Sequence, residues 1–191
     1  GGKVRVVAVT EPNAENMGLI VPKGSTARSI ADLKGGRIAF LRSTNSYIAF
    51  LHEIRDAGLE EEDFTIVEVS GPPANKAFES GQLDGYYSID PNMADLVEKT
   101  GARIISTGVE ERIENLYPYV ATTEALERKR EAIRRFLAAV RENIDWIQAH
   151  RDEHARLLAP RLGFSESAIR TTYGRGAKGF QRIDERFWRG E

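Results

Sequence analysis

Four consecutive small polar residues, Ser43, Thr44, Asn45 and Ser46, form the stretch of the chain best suited to chemistry. Three hydroxyls and one amide stand where an apolar run, Ile38 to Leu41, gives way to the helical repeat of Ile48, Leu51 and Ile54. A strand, a polar elbow and a helix present unpaired backbone N–H groups and the positive end of a helix dipole, which suits an anion. The same residue types also cap helix starts. No Glu or Gln stands three residues after any of the four, so the reciprocal capping box is missing. On these residues alone, capping and anion binding both stay open.

Other groups invite a chemical reading and favour a plainer one. His150-Arg-Asp-Glu-His154 spells the His-x-x-Glu-His of inverted zinc peptidases. Zinc needs its ligands on one rigid helical face and a third ligand besides. Here Asp152 and Glu153 suit the start of a new helix, so the motif reads as cap and surface. Gly174-Arg-Gly-Ala-Lys-Gly179 spells a dinucleotide fingerprint but follows a helix where a strand is required, and reads as a loop. His52 reads as an exposed or cap-side residue. Tyr86 and Tyr87 point to opposite faces of a strand, one able to line a cleft and the other suited to core. Asp90 either caps the helix opening at Pro91 or holds a cationic ligand group. No Ser–His–Asp set, phosphate-gripping lysine loop or shared pair of carboxylates is found. No catalytic residue, metal or cofactor is therefore expected.

The chain of 191 residues is 41% apolar and 29% charged, as soluble globular proteins are, with mass for one domain or two small lobes. A net charge of −2 gives no reason to expect nucleic acid or an anionic membrane as partner. The lack of cysteine removes disulfides and thiolate chemistry and suits either redox compartment. No apolar run reaches membrane-spanning length. Gly1-Gly-Lys-Val-Arg-Val-Val7 reads as entry directly into a strand, without a secretory signal, as a processed or truncated chain would begin.

The elements that must position the elbow follow from pattern and punctuation. Val4 to Val9 and Met17 to Val21 read as strands, the second closed by Pro22. Ser25 is expected to cap a short helix carrying Ile30 and Leu33, stopped by Gly35-Gly36. After the elbow unit, Thr65 to Val69 is a strand, Pro72-Pro73 starts a helix with Phe78 inward, Gly85 to Ile89 is a strand, and Asp90-Pro91 opens a helix with Met93, Leu96 and Val97. Arg103 to Ser106 is the next strand. This alternation predicts a parallel sheet covered on both faces. Leu116 to Val120 predicts a strand that Pro118 confines to an edge or crossing position. From Thr123 the chain is expected to be helical to its end. Ile133, Phe136, Leu137, Val140, Ile144 and Ile147 form one apolar stripe, Leu157, Leu158 and Leu162 sit on a second helix, and Ser165 caps a third.

Ile30-Ala-Asp-Leu-Lys-Gly35, Asp56-Ala-Gly-Leu59, Ala77-Phe-Glu-Ser-Gly-Gln-Leu-Asp84, Asp90-Pro91, Thr100-Gly-Ala-Arg-Ile104 and Leu158-Ala-Pro-Arg-Leu-Gly163 occur in an order that resembles substrate-binding proteins of ABC importers. The branch is the one that handles sulfonates, taurine, nitrate and thiamine precursors. The resemblance covers nearly the whole chain. It implies a type II periplasmic-binding-protein α/β fold, with one complete lobe at 24–115 and an incomplete second lobe, with C-terminal helices, from 1–23 and 116–191. Gly18 to Val21 and Tyr117 to Thr122 would be crossing strands. It also implies a small organic anion held between the lobes, an ABC permease as partner and a monomer at full length. The implied location is periplasmic or extracytoplasmic, and a lipid anchor would be compatible with it. The ligand-binding candidates are Ser43, Thr44, Asn45, Ser46, Tyr87, Ser88, Asp90 and Asn115. Two departures bear on the ligand. The family's glycine and following histidine at the elbow are Ser43 and Tyr47 here, and its aromatics around Asp-Pro are Ile89 and Asn92. An enzyme on the same scaffold, resembling sulfinate desulfinases or pyrimidine-precursor synthases, is the alternative, and a sensor domain fused to a signalling module is a third.

Overall fold

Two sheets organise residues 3–176 and 179–181, which the computed structural model describes. In the smaller sheet β1 (Val4–Thr10) lies between β7 (Pro118–Thr122) and β8 (Phe180–Gln181), antiparallel to both. The larger sheet runs in the order β4 (Thr65–Glu68), β3 (Arg37–Phe40), β5 (Gly85–Ile89), β2 (Met17–Val21), β6 (Arg103–Thr107). Strands β3, β4 and β5 are parallel, as the alternation of strands and helices predicts. Strand β2 departs from that expectation, running antiparallel to both β5 and β6. It enters from the other sheet through a single 3-10 turn, Ala14–Asn16, with no crossover helix to restore direction. Met17–Val21 is thus an interior strand, and the crossings are made by residues 11–16 and 108–117. Pro118 sits on an edge strand, where a missing N–H costs nothing.

Helix α1 (Asn45–Asp56) covers one face of the larger sheet, while α2 (Gly71–Glu79) and α3 (Asn92–Thr100) cover the other. Successive strand residues feed opposite cores: Ile38 and Phe40 pack beneath α1, and Ala39 packs beneath α2 and α3. The apolar spacing places Ile48 and Leu51 on the inner face of α1, but they are 45% and 37% exposed. Ala49, Phe50 and Ile54 face the sheet instead. Seating Phe50 decides the rotation, because its ring lies 4.9 Å from Phe40 and 5.4 Å from Phe64. Ser29, not Ser25, caps the short 3-10 turn Ile30–Leu33, with Asp32 completing a capping box. Ser25 instead accepts from the Ala27 N–H in a turn.

The rest is α4 (Thr123–Arg128), α5 (Arg130–Ala149), α6 (Arg151–Leu162) and α7 (Glu166–Arg175). The two-residue β8 interrupts the expected helical tail. The apolar stripe of α5 is not enclosed: none of its residues is fully buried, and Phe136 is 56% exposed. In α6 the small Ala155 and Ala159, not Leu157 and Leu162, meet Ile169 and Tyr173 of α7. Ser165 caps α7 as expected, accepting from Ala168 N–H at 2.9 Å. Its own N–H and hydroxyl go to Asp95 and Glu98 of α3, fastening the C-terminal helices to the helix layer of the larger sheet. Among the described residues no helix is long and apolar enough to cross a membrane.

Candidate functional site

Strands β3, β4 and β5 all end at the same edge of the larger sheet, and each is followed by a helix. Strand β3 has β4 on one side and β5 on the other, and the helices that follow β3 and β4 pass over opposite faces. The connections therefore diverge here and leave a crevice outside the carboxyl ends, where open α/β sheets bind ligands. A cavity of about 490 Å³ occupies it. Thr44 and Ser46 line it from the elbow, Ser70, Gly71 and Asn75 from the start of α2, and Tyr86, Ser88 and Asn92 from the end of β5 and the start of α3. Three helix N-termini converge on one space, so their dipoles add a positive potential.

The donors in that space are set by local bonding. Thr44 is the N-cap of α1, yet its side chain makes no cap bond. Its hydroxyl donates to the Leu41 carbonyl at 2.7 Å, so its one proton is spent on the turn. The Thr44 side-chain oxygen therefore caps none of the first-turn N–H groups of α1, of which that of Tyr47 donates to the Thr44 carbonyl at 3.1 Å. Ser46, 3% exposed, puts its hydroxyl at the same end. Ser88 accepts from Asn92 Nδ2 at 2.9 Å, and its own proton is shared between the cavity and the Tyr86 hydroxyl beside it. Tyr86 accepts from the Gly71 N–H at 3.2 Å and likewise keeps a proton. Asn75 and Asn92 exchange two amide bonds, at 2.6 and 3.0 Å, and brace α2 against α3. Helix α2 offers few donors, because Pro72 and Pro73 follow the Gly71 N–H that Tyr86 already holds.

Of the residues expected from the sequence, Thr44, Ser46, Tyr87 and Ser88 line the cavity. Ser43 is exposed and stands off the lining. Asn45 gives its Nδ2 to Asn115 Oδ1 at 2.8 Å, and the buried Asn115 gives its own Nδ2 to Asn16. Both amides are thus engaged with protein. The ring of Tyr87 packs against Phe40 and Phe50, and its hydroxyl is buried beneath α1. The pleat turns the Tyr86 hydroxyl toward the start of α2 and that of Tyr87 toward the core, although both residues line the cavity. Asp90 caps α3, its Oδ1 accepting from Ala94 N–H at 3.2 Å. Its Oδ2 lies 3.2 Å from Arg175 Nε without an aligned hydrogen bond, and burial pushes the carboxyl up to about 6 against the pull of Arg175. Ser70, Asn75 and Asn92 lie outside the expected set, although their positions just after parallel strands are the mark of such a site.

Among the described residues Lys99 is the single cation on the cavity wall, bound to Asp95 at 2.6 Å, and Glu79 adds a second carboxylate at the far end. Behind the elbow, Glu53 lies on the inner face of α1 and accepts the Ser106 hydroxyl at 2.5 Å. Burial pushes its carboxyl up to about 7, and the neighbouring Glu111 and Glu110 add to the rise. The buried Tyr87 hydroxyl sits within the field of Glu53 but outside hydrogen-bond geometry, and burial pushes it up as well.

His150 sits between α5 and α6, and His154 Nδ1 lies 2.7 Å from the Tyr173 hydroxyl. Among the described residues no three His, Cys, Asp or Glu side chains form a metal-binding group. Gly174 and Arg175 end α7, and residues 177–178 of that glycine motif lie outside the described residues. His52 is partly buried, its Nδ1 2.9 Å from the Glu111 carbonyl.

Residues 3–154 match a family model described as NMT1/THI5 like. An Escherichia coli (strain K12) protein named "Putative aliphatic sulfonates-binding protein" is 25% identical over 169 residues, covering 88% of this chain and 53% of that protein. Among solved structures, the alkanesulfonate-binding protein SsuA from Xanthomonas axonopodis pv. citri, bound to MOPS, superposes with a TM-score of 0.85 at 22% identity. That match covers 100% of this chain and 66% of that one. The desulfurization enzyme DSZB shares the fold with a TM-score of 0.69 and 22% identity, over 96% of this chain and 68% of its own. The chain spans about half the length of the curated relatives it matches.

Proposed function

The chain belongs to the NMT1/THI5-like family, and from that premise we propose that it is the solute-binding part of an ABC importer, acting outside the cytoplasmic membrane and delivering a small organic anion to a permease. The observation that carries the reading is the elbow: a helix start whose N-cap side chain is turned away, facing a 490 Å³ cavity with Ser46, Tyr86 and Ser88 protons around it. Hydrogen bonds to an ionised group are roughly twice as strong as neutral ones, so a few fixed donors hold an oxyanion without a lysine or arginine. The cavity exceeds what an inorganic oxyanion fills, and its apolar wall at Leu41, Ile89 and Phe164 suits an organic remainder. Relatives named for aliphatic sulfonates support the sulfonate class within this reading. The fold by itself does not choose between carrier and enzyme, since DSZB shares it. Among the described residues the cavity wall carries neither Cys nor His, which favours the carrier reading.

Ser46→Ala tests it. Loss of one charge-assisted donor is expected to weaken binding of a short alkanesulfonate by about tenfold in titration calorimetry, with the melting temperature of the free protein nearly unchanged. Equal affinity in the variant and the parent chain would remove the elbow from the site.

A further inference from the structure

Helices α2 and α3 wall the cavity with two facing rows. Gly71, Asn75 and Glu79 line it at every fourth residue of α2, and Asn92, Asp95 and Lys99 line it at the first, fourth and eighth residues of α3, so each row lies on one helix face. Amides bridge the rows. Asn75 Nδ2 donates to Asn92 Oδ1 at 2.6 Å and Asn92 Nδ2 donates to Asn75 Oδ1 at 3.0 Å, which closes a ring of two hydrogen bonds across the space. Asn92 spends its second proton on Ser88 Oγ at 2.9 Å. The ring therefore starts one hydrogen bond away from a hydroxyl that the head of a bound anion would meet. What the ring leaves over is fixed by the capacity of an amide, two protons on nitrogen and two lone pairs on oxygen. Asn92 has no proton left. Asn75 keeps one and Asn92 Oδ1 keeps a lone pair, on atoms 2.6 Å apart. Among the described residues no group of the protein is bonded to either. Ser88 shows what such an edge takes, since the opposite edge of the ring already holds its hydroxyl oxygen.

We propose that Asn75 and Asn92 are specificity-determining residues that select an organic anion carrying a hydroxyl group on its carbon chain. This rests on the reading of the cavity as an organic-anion site and narrows the class of ligand it takes. A hydroxyl matches the free edge of the ring, because its oxygen accepts the Asn75 proton while its own proton goes to Asn92 Oδ1. An alkyl group matches neither, so binding it strips water from a donor and an acceptor without replacing the bonds. An ammonium group meets the lone pair but turns a proton against that of Asn75. A brace between α2 and α3 needs the ring and nothing more; the place of both amides on the cavity wall makes the free edge a ligand contact. The neighbouring wall has the same character: Ser70, the N-cap of α2, makes no side-chain cap bond and lines the same space.

Titration calorimetry of the 191-residue chain with pairs of equal size tests this. The pairs are 2-hydroxyethanesulfonate with propanesulfonate, 3-hydroxypropanesulfonate with butanesulfonate, and 4-hydroxybutanesulfonate with pentanesulfonate. At the chain length that brings the hydroxyl to the free edge, the hydroxylated member is expected to bind about tenfold more tightly, the measure of two neutral hydrogen bonds. Asn75→Ala removes the edge and should bring that ratio to about one. Asn75→Leu puts apolar surface there and should turn the preference about threefold toward the alkyl member. Asn75 is half-buried on a helix face, and alanine and leucine are strong helix formers, so both variants are expected to fold. Ser46→Ala should weaken both members of a pair alike and keep their ratio. Binding without preference for the hydroxyl at any length, or a preference that survives in both Asn75 variants, would overturn the selection and leave the carrier reading standing. Failure to bind any of these sulfonates, or the carboxylates of the same chains, would overturn both.

Discussion

Replacing Glu53 with glutamine should make the protein more stable at pH 8 and flatten its dependence on pH. Glu53 is 7% exposed on the inner face of α1 and accepts the Ser106 hydroxyl at 2.5 Å. Its carboxyl is pushed from 4.5 up to about 7, with burial the largest cause. A carboxyl whose pKa is raised by folding binds more protons in the native state than in the unfolded one between those two values. Stability contributed by the protonated form is therefore fully present below about pH 4.5 and is lost as pH rises toward 7. A tenfold change in proton affinity corresponds to about 1.36 kcal/mol, so the interval from 4.5 to about 7 sets an upper figure of about 3 kcal/mol lost by pH 8. Glutamine has the same shape, accepts the Ser106 proton through its oxygen, and carries no charge to desolvate. Its amide also offers a donor beside the Tyr87 hydroxyl, which has no hydrogen-bond partner. Denaturant unfolding of Glu53→Gln and the parent chain at pH 5 and pH 8 is the assay. The variant is expected to gain about 2 kcal/mol at pH 8, equivalent to ~5 °C in melting temperature, and little at pH 5. Asp90, raised from 3.8 to about 6, leaves a residual slope in both proteins, confined to lower pH. A variant no more stable at pH 8, or one with the parental slope between pH 6 and 7, would refute the assignment of a buried, proton-holding Glu53.

Two further substitutions test the framework around the cleft. Arg175→Gln removes the cation 3.2 Å from the 3%-exposed Asp90 carboxylate. It should cost about 3 kcal/mol at pH 8 and much less at pH 5, where a neutral carboxyl has no need of the cation; equal losses at both pH values would contradict this. Gly18→Ala would place a Cβ 2.4 Å from the Ser106 carbonyl oxygen, backbone that cannot move aside within the β2–β6 ladder. A loss of about 2 kcal/mol in denaturant titration is expected, and a neutral result would mean that the strands are not in this register.

The parts of the fold that sequence reveals are those set by local chemistry. Gly35, Gly58, Gly81 and Gly101 each stand at positive φ where an element ends, so their punctuation of the larger sheet's elements reads directly from the chain. The direction of β2 does not, because an apolar run of five has no polarity and only its partners β5 and β6 orient it. The rotation of α1 escapes the sequence for a related reason. Ile48, Leu51 and Ile54 fit a helical stripe as well as Phe50 and Ile54 do, and ring packing against Phe40 and Phe64 decides between them. Alternation along β5 separates Tyr86 from Tyr87, but which face meets the cleft depends on where α2 starts, since the Gly71 N–H binds Tyr86. The run of amides from Asn45 through Asn115 to Asn16 is the least legible of all. Asn16 and Asn115 lie 99 residues apart, and nothing in either neighbourhood anticipates the other.

The charges on the cavity wall constrain how an anion could be held. Asp95 and Lys99 cancel at 2.6 Å, which leaves Glu79 as a net negative charge in a chain already at −2. Glu79 is the last residue of α2, eight positions beyond Gly71, so it stands about 12 Å down the helix from the elbow end at 1.5 Å per residue. Across that distance its repulsion of a bound anion is about 1.4 kcal/mol at an effective dielectric of 20, and roughly 0.3 kcal/mol in water. One hydrogen bond to a charged group is worth about 1.5–3 kcal/mol, so the donors at the elbow outweigh Glu79 by number alone. The same carboxylate turns from penalty to preference if the far end of the ligand is neutral or cationic. Under the carrier reading, Glu79 therefore sorts ligands by their tails, while Ser46, Tyr86, Ser88 and the first turn of α1 hold the head.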